Sequence, residues 1–307
     1  MKPILLAGPT AAGKSELALA LAETFGSCVI NADSQQVYAA WRILSARPDA
    51  AAESRAPHRL YGHLPLDARH SAGDWLRALA PIIKEAASNG QRPIITGGTG
   101  LYFRALTEGL SEIPDIPAEI RTTLTARFEN EGLAAVSAEL AERDPRTSAE
   151  IDRANPARVL RALEVLEATG RGLTDWQAST PPPLLPTGDA ICLVIEAQAA
   201  WLDARIADRF AGMMASGAVE EVRAARASGA DPTLPGMKAI GVAEISNFLD
   251  GTATRDETVA AGTLATRRYA KRQRTWFRNQ ILGWVRLPAE DRPLDRAIAT
   301  VRAADQT

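Results

Sequence analysis

Three short stretches carry side chains able to do chemistry together: GPTAAGKS (residues 8–15), NADSQQVY (31–38) and TGGTGLY (96–102). The first has the spacing GxxxxGK[ST], in which a turn between strand and helix points backbone N–H groups at phosphate oxygens. Gly8, Pro9, Thr10, Ala11, Ala12, Gly13, Lys14 and Ser15 form that cradle. The amides from Thr10 to Ser15 are its donors, Lys14 its cation, and the Ser15 hydroxyl can hold Mg²⁺ bridging the oxygens. Nothing in the loop separates ATP or GTP from another diphosphate. Asp33 follows a strand-like run, on the rim where open parallel sheets bind ligands, so it should face whatever the loop holds. The plainer alternative is a turn Asp capping the next segment. Thr99, between glycines, repeats the strand-to-helix design and can approach the same phosphates, although paired glycines also make ordinary tight turns. The run RPIITGG lacks the terminal Asp with which nucleotide triphosphatases order Mg²⁺, which weakens an ATPase reading.

A fourth stretch, TRRYAKRQRTWFRNQ (266–280), places Arg267, Lys271, Arg274 and Arg278 at i, i+4, i+7 and i+11. They share one helical face, and no Asp or Glu occurs from Thr258 through Ala289. With Tyr269, Trp276 and Phe277 interleaved, this uncompensated stripe suits a nucleic-acid backbone; a solvated arginine face over core aromatics is the alternative. A second basic set is Arg153, Arg158 and Arg161.

The elements that must position these groups read as α/β. Strand-like runs at 3–7, 27–31 and 92–97 alternate with amphipathic helices at 14–25 and 73–89, predicting a parallel sheet with helices on its faces. From about Ser111 strand signals stop, and prolines and aspartates punctuate short helices. After the loop at 179–189 a buried strand returns at 190–197, and 283–287 reads as the last strand. The expected division is a core of 1–110 plus 188–307 and a helical insertion of 111–187. At 307 residues, 46% hydrophobic, the chain can bury a substantial core. A net charge of −2 gives no global case for nucleic acid, so any such case is local. With no apparent leader or membrane span, the cytoplasm is the expected location. Cys28 and Cys192 read as buried reduced thiols, and His58, His63 and His70, at spacings matching no common zinc pattern, as a loop.

In series with APHRLYG, NPARVLRALEV, RIADRF, MMASGAVEEV and AIGVAEI, these motifs resemble the tRNA dimethylallyltransferase (tRNA isopentenyltransferase) family from about residue 4 to 282. The resemblance implies a P-loop NTPase-like parallel sheet flanked by helices, with an all-helical insertion that binds the tRNA anticodon stem-loop. It implies Mg²⁺-dependent transfer of a dimethylallyl group to the exocyclic amine of the adenine 3′ of the anticodon, the loop holding dimethylallyl diphosphate rather than ATP. Carried over residue by residue, Asp33 is the general base, Thr99 contacts the diphosphate or lies beside the amine, and Arg209 grips the diphosphate. The tRNA contacts are Asp33, Ser34, Gln35, Gln36 and Thr99 at the target base, and elsewhere Arg121, Ala157, Arg158, Val159, Leu160, Arg161, Lys238, Gly241, Lys271 and Arg274. A monomer without membrane attachment or zinc finger is expected. The chain departs from the family pattern at Ser45 and Arg47, where Thr and Lys are usual, at His58-Arg59 instead of paired histidines, and at Val242 instead of Tyr. Rival readings are an adenylate isopentenyltransferase, which has little use for the insertion or the cationic stripe, a small-molecule kinase, and a non-catalytic tRNA-binding module.

Overall fold

Apolar runs bounded by glycine and proline become the strands of a single sheet. In the computed structural model, which describes residues 1–306, these are β1 (Ile4–Ala7), β2 (Val29–Asn31), β3 (His58–Arg59), β4 (Ile94–Gly97), β5 (Ile191–Glu196) and β6 (Val285–Pro288). They lie in the order β3-β2-β4-β1-β5-β6, every pairing parallel. The register Ala7↔Gly97 ends β1 and β4 level beneath the phosphate loop, while β5, in register Ala7↔Val194, runs two residues further to Glu196. The edge strand β3 is absent from the sequence-based reading, which makes this segment a loop; a polar pair, His-Arg, carries no apolar signal, and only pairing with Val29 and Ile30 makes it a strand.

Period-two alternation divides the core between the two faces. On one, Ile4 and Leu6 pack with Leu17, Ala18 and Leu21 of α1 (Lys14–Phe25). On the other, Leu5 and Ala7 join Trp75 and Leu79 of α3 (Ala72–Ser88) and Tyr102, Phe103 and Leu106 of α4 (Gly100–Glu108). The short helix α2 (Ala50–Arg55) precedes β3. Ser71 and Asp74 form a reciprocal capping box that starts α3.

The chain separates into two compact units, Met1–Thr107 with Leu184–Thr307, and Glu108–Pro183. The second holds α5 (Ala118–Arg143), kinked at Gly132, α6 (Pro145–Glu150), α7 (Pro156–Thr169) and α8 (Leu173–Ala178). Its own core consists of Leu124, Val136, Leu140, Val159, Ala162 and Leu163. In the first unit, β5 is followed by α9 (Ala199–Ala215), α10 (Ala218–Ala227), α11 (Val242–Leu249) and α12 (Arg255–Gln280), and β6 by α13 (Pro293–Ala304). A satellite core of Trp41, Leu44, Phe210, Met214, Val222 and Val242 fixes the segment after Asp33 against α9, α10 and α11.

No helix among the described residues is long and apolar enough to cross a membrane. None of the described His, Cys, Asp and Glu residues form a group of three able to hold a metal ion; the His63 and His70 rings meet edge to face at 5.9 Å. Both cysteines are free, but half-buried rather than buried, and burial pushes the Cys192 thiol up to about 12.

Candidate active site

The phosphate loop leaves β1 and enters α1 through backbone shapes that few residues adopt. Gly13 caps α1 at φ 87°, in the left-handed region that favours glycine, whereas Ala11 holds φ 63° with a Cβ in place. A non-glycine residue in that region stores strain, and strain of this kind gathers at ligand sites. Lys14 is folded back so that its Nζ donates to the Pro9 carbonyl at 2.7 Å. Burial lowers its pKa to about 8; Asp33 opposes the fall and Arg209 adds to it. Burial also lowers the pKa of Arg209, again against the pull of Asp33. Both cations and the carboxylate therefore act on one another within a single small volume.

Asp33 is held by its neighbours before any ligand arrives. The Asn31 side chain accepts from the Asp33 N–H at 2.8 Å and donates to the Asp33 carbonyl at 2.9 Å, while the Trp75 indole donates to the Asn31 carbonyl at 2.7 Å. Asp33 Oδ1 accepts from the Gln35 N–H at 2.9 Å, an Asx turn, so the capping alternative accounts for one oxygen. Oδ2 remains for a ligand, and Asp33 lines the cavity.

That cavity, about 710 Å³, is bounded by Thr10 to Ser15, Asp33, Gln36, Tyr61, Arg205 and Arg209. A second, about 260 Å³, shares Thr10, Asp33 and Arg209 with the first and continues along Leu44, Ile206, Phe210, Met213 and Tyr269. These apolar walls come from segments too far apart in sequence for motif reading to group them. Burial, with Asp33 adding to it, raises the pKa values of Tyr61 and Tyr269 and keeps both phenols neutral donors. Gln35 Oε1 is buried without a hydrogen-bond partner among the described residues, and Gln35 lines the second cavity.

The expected residues separate into several positions. Gly8 and Pro9 open the loop, with Gly8 pressed on β5 so that a Cβ there would lie 3.1 Å from Ile195. The Thr10 N–H, expected among the ligand-facing amides, instead donates to Gln273 Oε1 at 2.8 Å. Thr99 Oγ1 accepts from the Ser34 N–H at 2.9 Å, and it is Thr96 and Gly97 that line the first cavity. Gln36 Nε2 donates to the carbonyls of Ser45 and Ala46 at 2.9 and 3.1 Å, tying down the chain opposite the phosphate loop. Lys238 lines the second cavity, and Gly241, at φ 101°, lies where a Cβ would be 2.6 Å from Leu44.

Lys271, Arg274 and Arg278 line a further cavity of about 510 Å³ with Pro9 and the end of β5. The stripe is not wholly uncompensated. Arg267 pairs with Asp203 of α9 at 3.4 Å, an acid that local sequence could not bring to it. Phe277 is core, Trp276 packs over Gly100, and Tyr269 lines the second cavity. Within the helical unit Arg121 and Arg161 each lie 3.5 Å from the buried Glu164 carboxylate. Ala157 and Arg158 are exposed, Leu160 half-buried, and Val159 wholly buried in that unit's core, so its side chain is closed to solvent. Of the departures, Val242 is buried in the satellite core, and Ser45 lines both principal cavities.

Motif reading passed over two further residues. Arg205 donates through Nε to the Ala11 carbonyl at 3.0 Å, with its guanidinium 4.6 Å from the Trp201 ring. Gln273, on the buried side of α12, joins the phosphate loop to the end of β4. RIADRF and KRQRTW contain both, but nothing in either motif marks the buried partner.

The family model described as IPP transferase matches residues 36–280, and one described as isopentenyl transferase matches residues 1–70. A protein of Cereibacter sphaeroides named tRNA dimethylallyltransferase is 57% identical over 289 residues, 94% of this chain and 90% of the relative. A protein of the same name from Dinoroseobacter shibae is 53% identical over 287 residues, 94% and 95% of the two chains. Among solved structures, the tRNA isopentenylpyrophosphate transferase of Bacillus halodurans superposes with a TM-score of 0.70 at 27% identity, covering 99% of this chain and 98% of that one. A eukaryotic dimethylallyltransferase acting on tRNA shares the fold with a TM-score of 0.82 at 24% identity, covering 98% and 77%.

Proposed function

The chain belongs to the IPP transferase family, and from that premise we propose that it transfers a dimethylallyl group from dimethylallyl diphosphate to the exocyclic amine of the adenine 3′-adjacent to the anticodon of tRNA. The observation that carries this reading is one cavity bounded by Lys14, Arg209 and Asp33 together. Transfer makes a bond from the amine nitrogen to the first carbon of the dimethylallyl group as that carbon's bond to the diphosphate oxygen breaks. The enzyme must absorb charge on the departing diphosphate and take a proton from the nitrogen.

Lys14 and the free loop amides hold the diphosphate, and Arg209 supplies a fork able to take two of its oxygens. Asp33 Oδ2 accepts the hydrogen bond of the amine and then its proton, because Oδ1 is committed to the Gln35 N–H. The orphaned Gln35 Oε1 is a further acceptor for the target base. Leu44, Ile206, Phe210 and Met213 wall the dimethylallyl tail away from water. An exposed Ser15 hydroxyl at the edge of the first cavity, whose lining also includes Asp33 and Asp208, fits Mg²⁺, an ion that keeps waters and takes substrate oxygens. When bound there, Mg²⁺ offsets charge on the diphosphate. Arg121, Ala157, Arg158, Leu160 and Arg161 on the helical unit, with Lys238, Lys271 and Arg274, serve the RNA, whereas Val159, wholly buried and with its N–H bonded to the Asn155 carbonyl, only holds that helix in place. Unstacked bases of an RNA loop are the ones open to such chemistry.

Purified protein given Mg²⁺ and labelled dimethylallyl diphosphate should label unmodified tRNA carrying adenines in its anticodon loop, and leave AMP unlabelled. Label in AMP alone would make it an adenylate prenyltransferase. No label with either acceptor, together with consumption of ATP on a small substrate, would make it a kinase.

A further inference from the structure

Gln273 is 6% exposed, on a helix whose neighbouring positions are charged, and both ends of its amide are engaged. Oε1 accepts from the Thr10 N–H at 2.8 Å, and Nε2 donates to the Gly98 carbonyl at 2.9 Å. A backbone N–H can only donate and a carbonyl can only accept, so the partners themselves fix which way the amide faces. A methyl placed on Gly98 would lie 2.3 Å from Gln273 Nε2 and 3.3 Å from Asp33 Oδ2. The bridging amide is therefore adjacent to the carboxylate that faces the cavity. One side chain spans from the loop that holds one reactant to the strand end beside the group that addresses the other.

Building on the reading under Proposed function, we infer that Gln273 is a positioning residue that sets the spacing between the diphosphate held by the phosphate loop and the amine held by Asp33. The two near-isosteric replacements cannot reproduce this pairing at neutral pH: ionised Glu lacks the donor, and Met has no donor and only a weak thioether acceptor. The Thr10 amide is thereby withdrawn from the ligand and used to anchor the loop's entry. Displacing one reactant by about 1 Å costs on the order of 100-fold in rate, so the effect belongs in kcat rather than in affinity.

The test compares wild type, Gln273→Met and Gln273→Glu. Transfer kinetics resolve kcat from both KM values, calorimetry reads inorganic diphosphate binding, and hydrogen exchange follows residues 8–15 and 97–100. Gln273→Met should stay folded, lower kcat about 100-fold, change diphosphate affinity less than about threefold, and speed exchange in both segments together. Gln273→Glu should match it at pH 8 and recover relative to wild type as the pH falls towards 5.5. The Asp33 carboxylate and the Tyr269 phenol face this position and Arg272 and Arg274 flank it on α12; the protonated carboxyl among them restores one acceptor and one donor, a recovery that loss of packing would not produce. A kcat within threefold of wild type, a loss confined to KM, a flat pH ratio, or loosening of only one segment would overturn the inference. If wild type itself labels no tRNA, the functional reading fails, and the exchange arm alone decides whether Gln273 couples the two segments.

Discussion

Exchanging Asp33 for Asn removes one charge and almost nothing else. The side-chain amide is isosteric with the native carboxylate, so it keeps an oxygen for the Gln35 N–H, now at 2.9 Å, and the Asn31 bonds to the backbone on either side are untouched. The rate should respond to the loss of a proton acceptor at Oδ2. A positioned general base contributes about 10² to 10⁴ in rate, which is about 2.7 to 5.4 kcal/mol at 1.36 kcal/mol per decade. Binding should move the other way. Asp33 is the carboxylate that pulls against the Lys14 and Arg209 shifts, so its removal leaves a more positive cavity for the diphosphate. The expected result in single-turnover label transfer is a kcat lowered at least 100-fold, with a KM for dimethylallyl diphosphate unchanged or lower. Asp33→Ala should lose the same rate and also about 1 kcal/mol of stability in urea, the worth of the turn hydrogen bond. A rate loss under tenfold for Asp33→Asn, or one carried by a raised KM, would refute the assignment of Asp33 as base.

Four more outcomes follow from particular contacts. The pKa of Lys14 is lowered to about 8 in the ligand-free site, so inorganic diphosphate affinity measured by calorimetry should weaken by up to tenfold per pH unit above that value, and Lys14→Met should remove the break. Because this folded pKa lies below the unfolded one, stability should rise, not fall, as pH passes from about 8 towards 10.5, in a thermal scan of wild type against Lys14→Met. Gly97→Ala would place a methyl 2.0 Å from the Ala32 carbonyl oxygen, backbone against backbone, and should cost about 3 kcal/mol in denaturant unfolding. The Glu221 carboxylate accepts from the N–H groups of Arg42, Ile43 and Leu44 at 2.7 to 3.0 Å; Glu221→Ala should cost about 2 kcal/mol and open residues 40–47 to limited proteolysis.

Much of the candidate site is local and so was legible without coordinates. The phosphate loop is eight consecutive residues between a strand and a helix, and Asp33 and Thr99 stand just past apolar runs that become β2 and β4. Spacing of this kind dictates backbone turns, and the turns dictate where N–H groups and carboxylates face. The alternation of Ile4, Leu5, Leu6 and Ala7 between two cores likewise follows from the twofold period of a strand buried on both sides.

Tertiary structure alone decided the rest, because it depends on pairs distant in the chain. Gln273 meets Thr10 across 263 residues of sequence, and no local signal distinguishes it from its charged neighbours on α12. Asp203 reaches Arg267 only because α9 packs on α12, and β3 exists only because β2 offers its edge. The apolar walls join Leu44 to Phe210 and Met213, residues that a chain brings together by closing loops and packing helices rather than by any repeat in its sequence. Periodicity and turn chemistry set where each element starts and which side it buries; the packing of those buried sides set which polar groups face one another across the site.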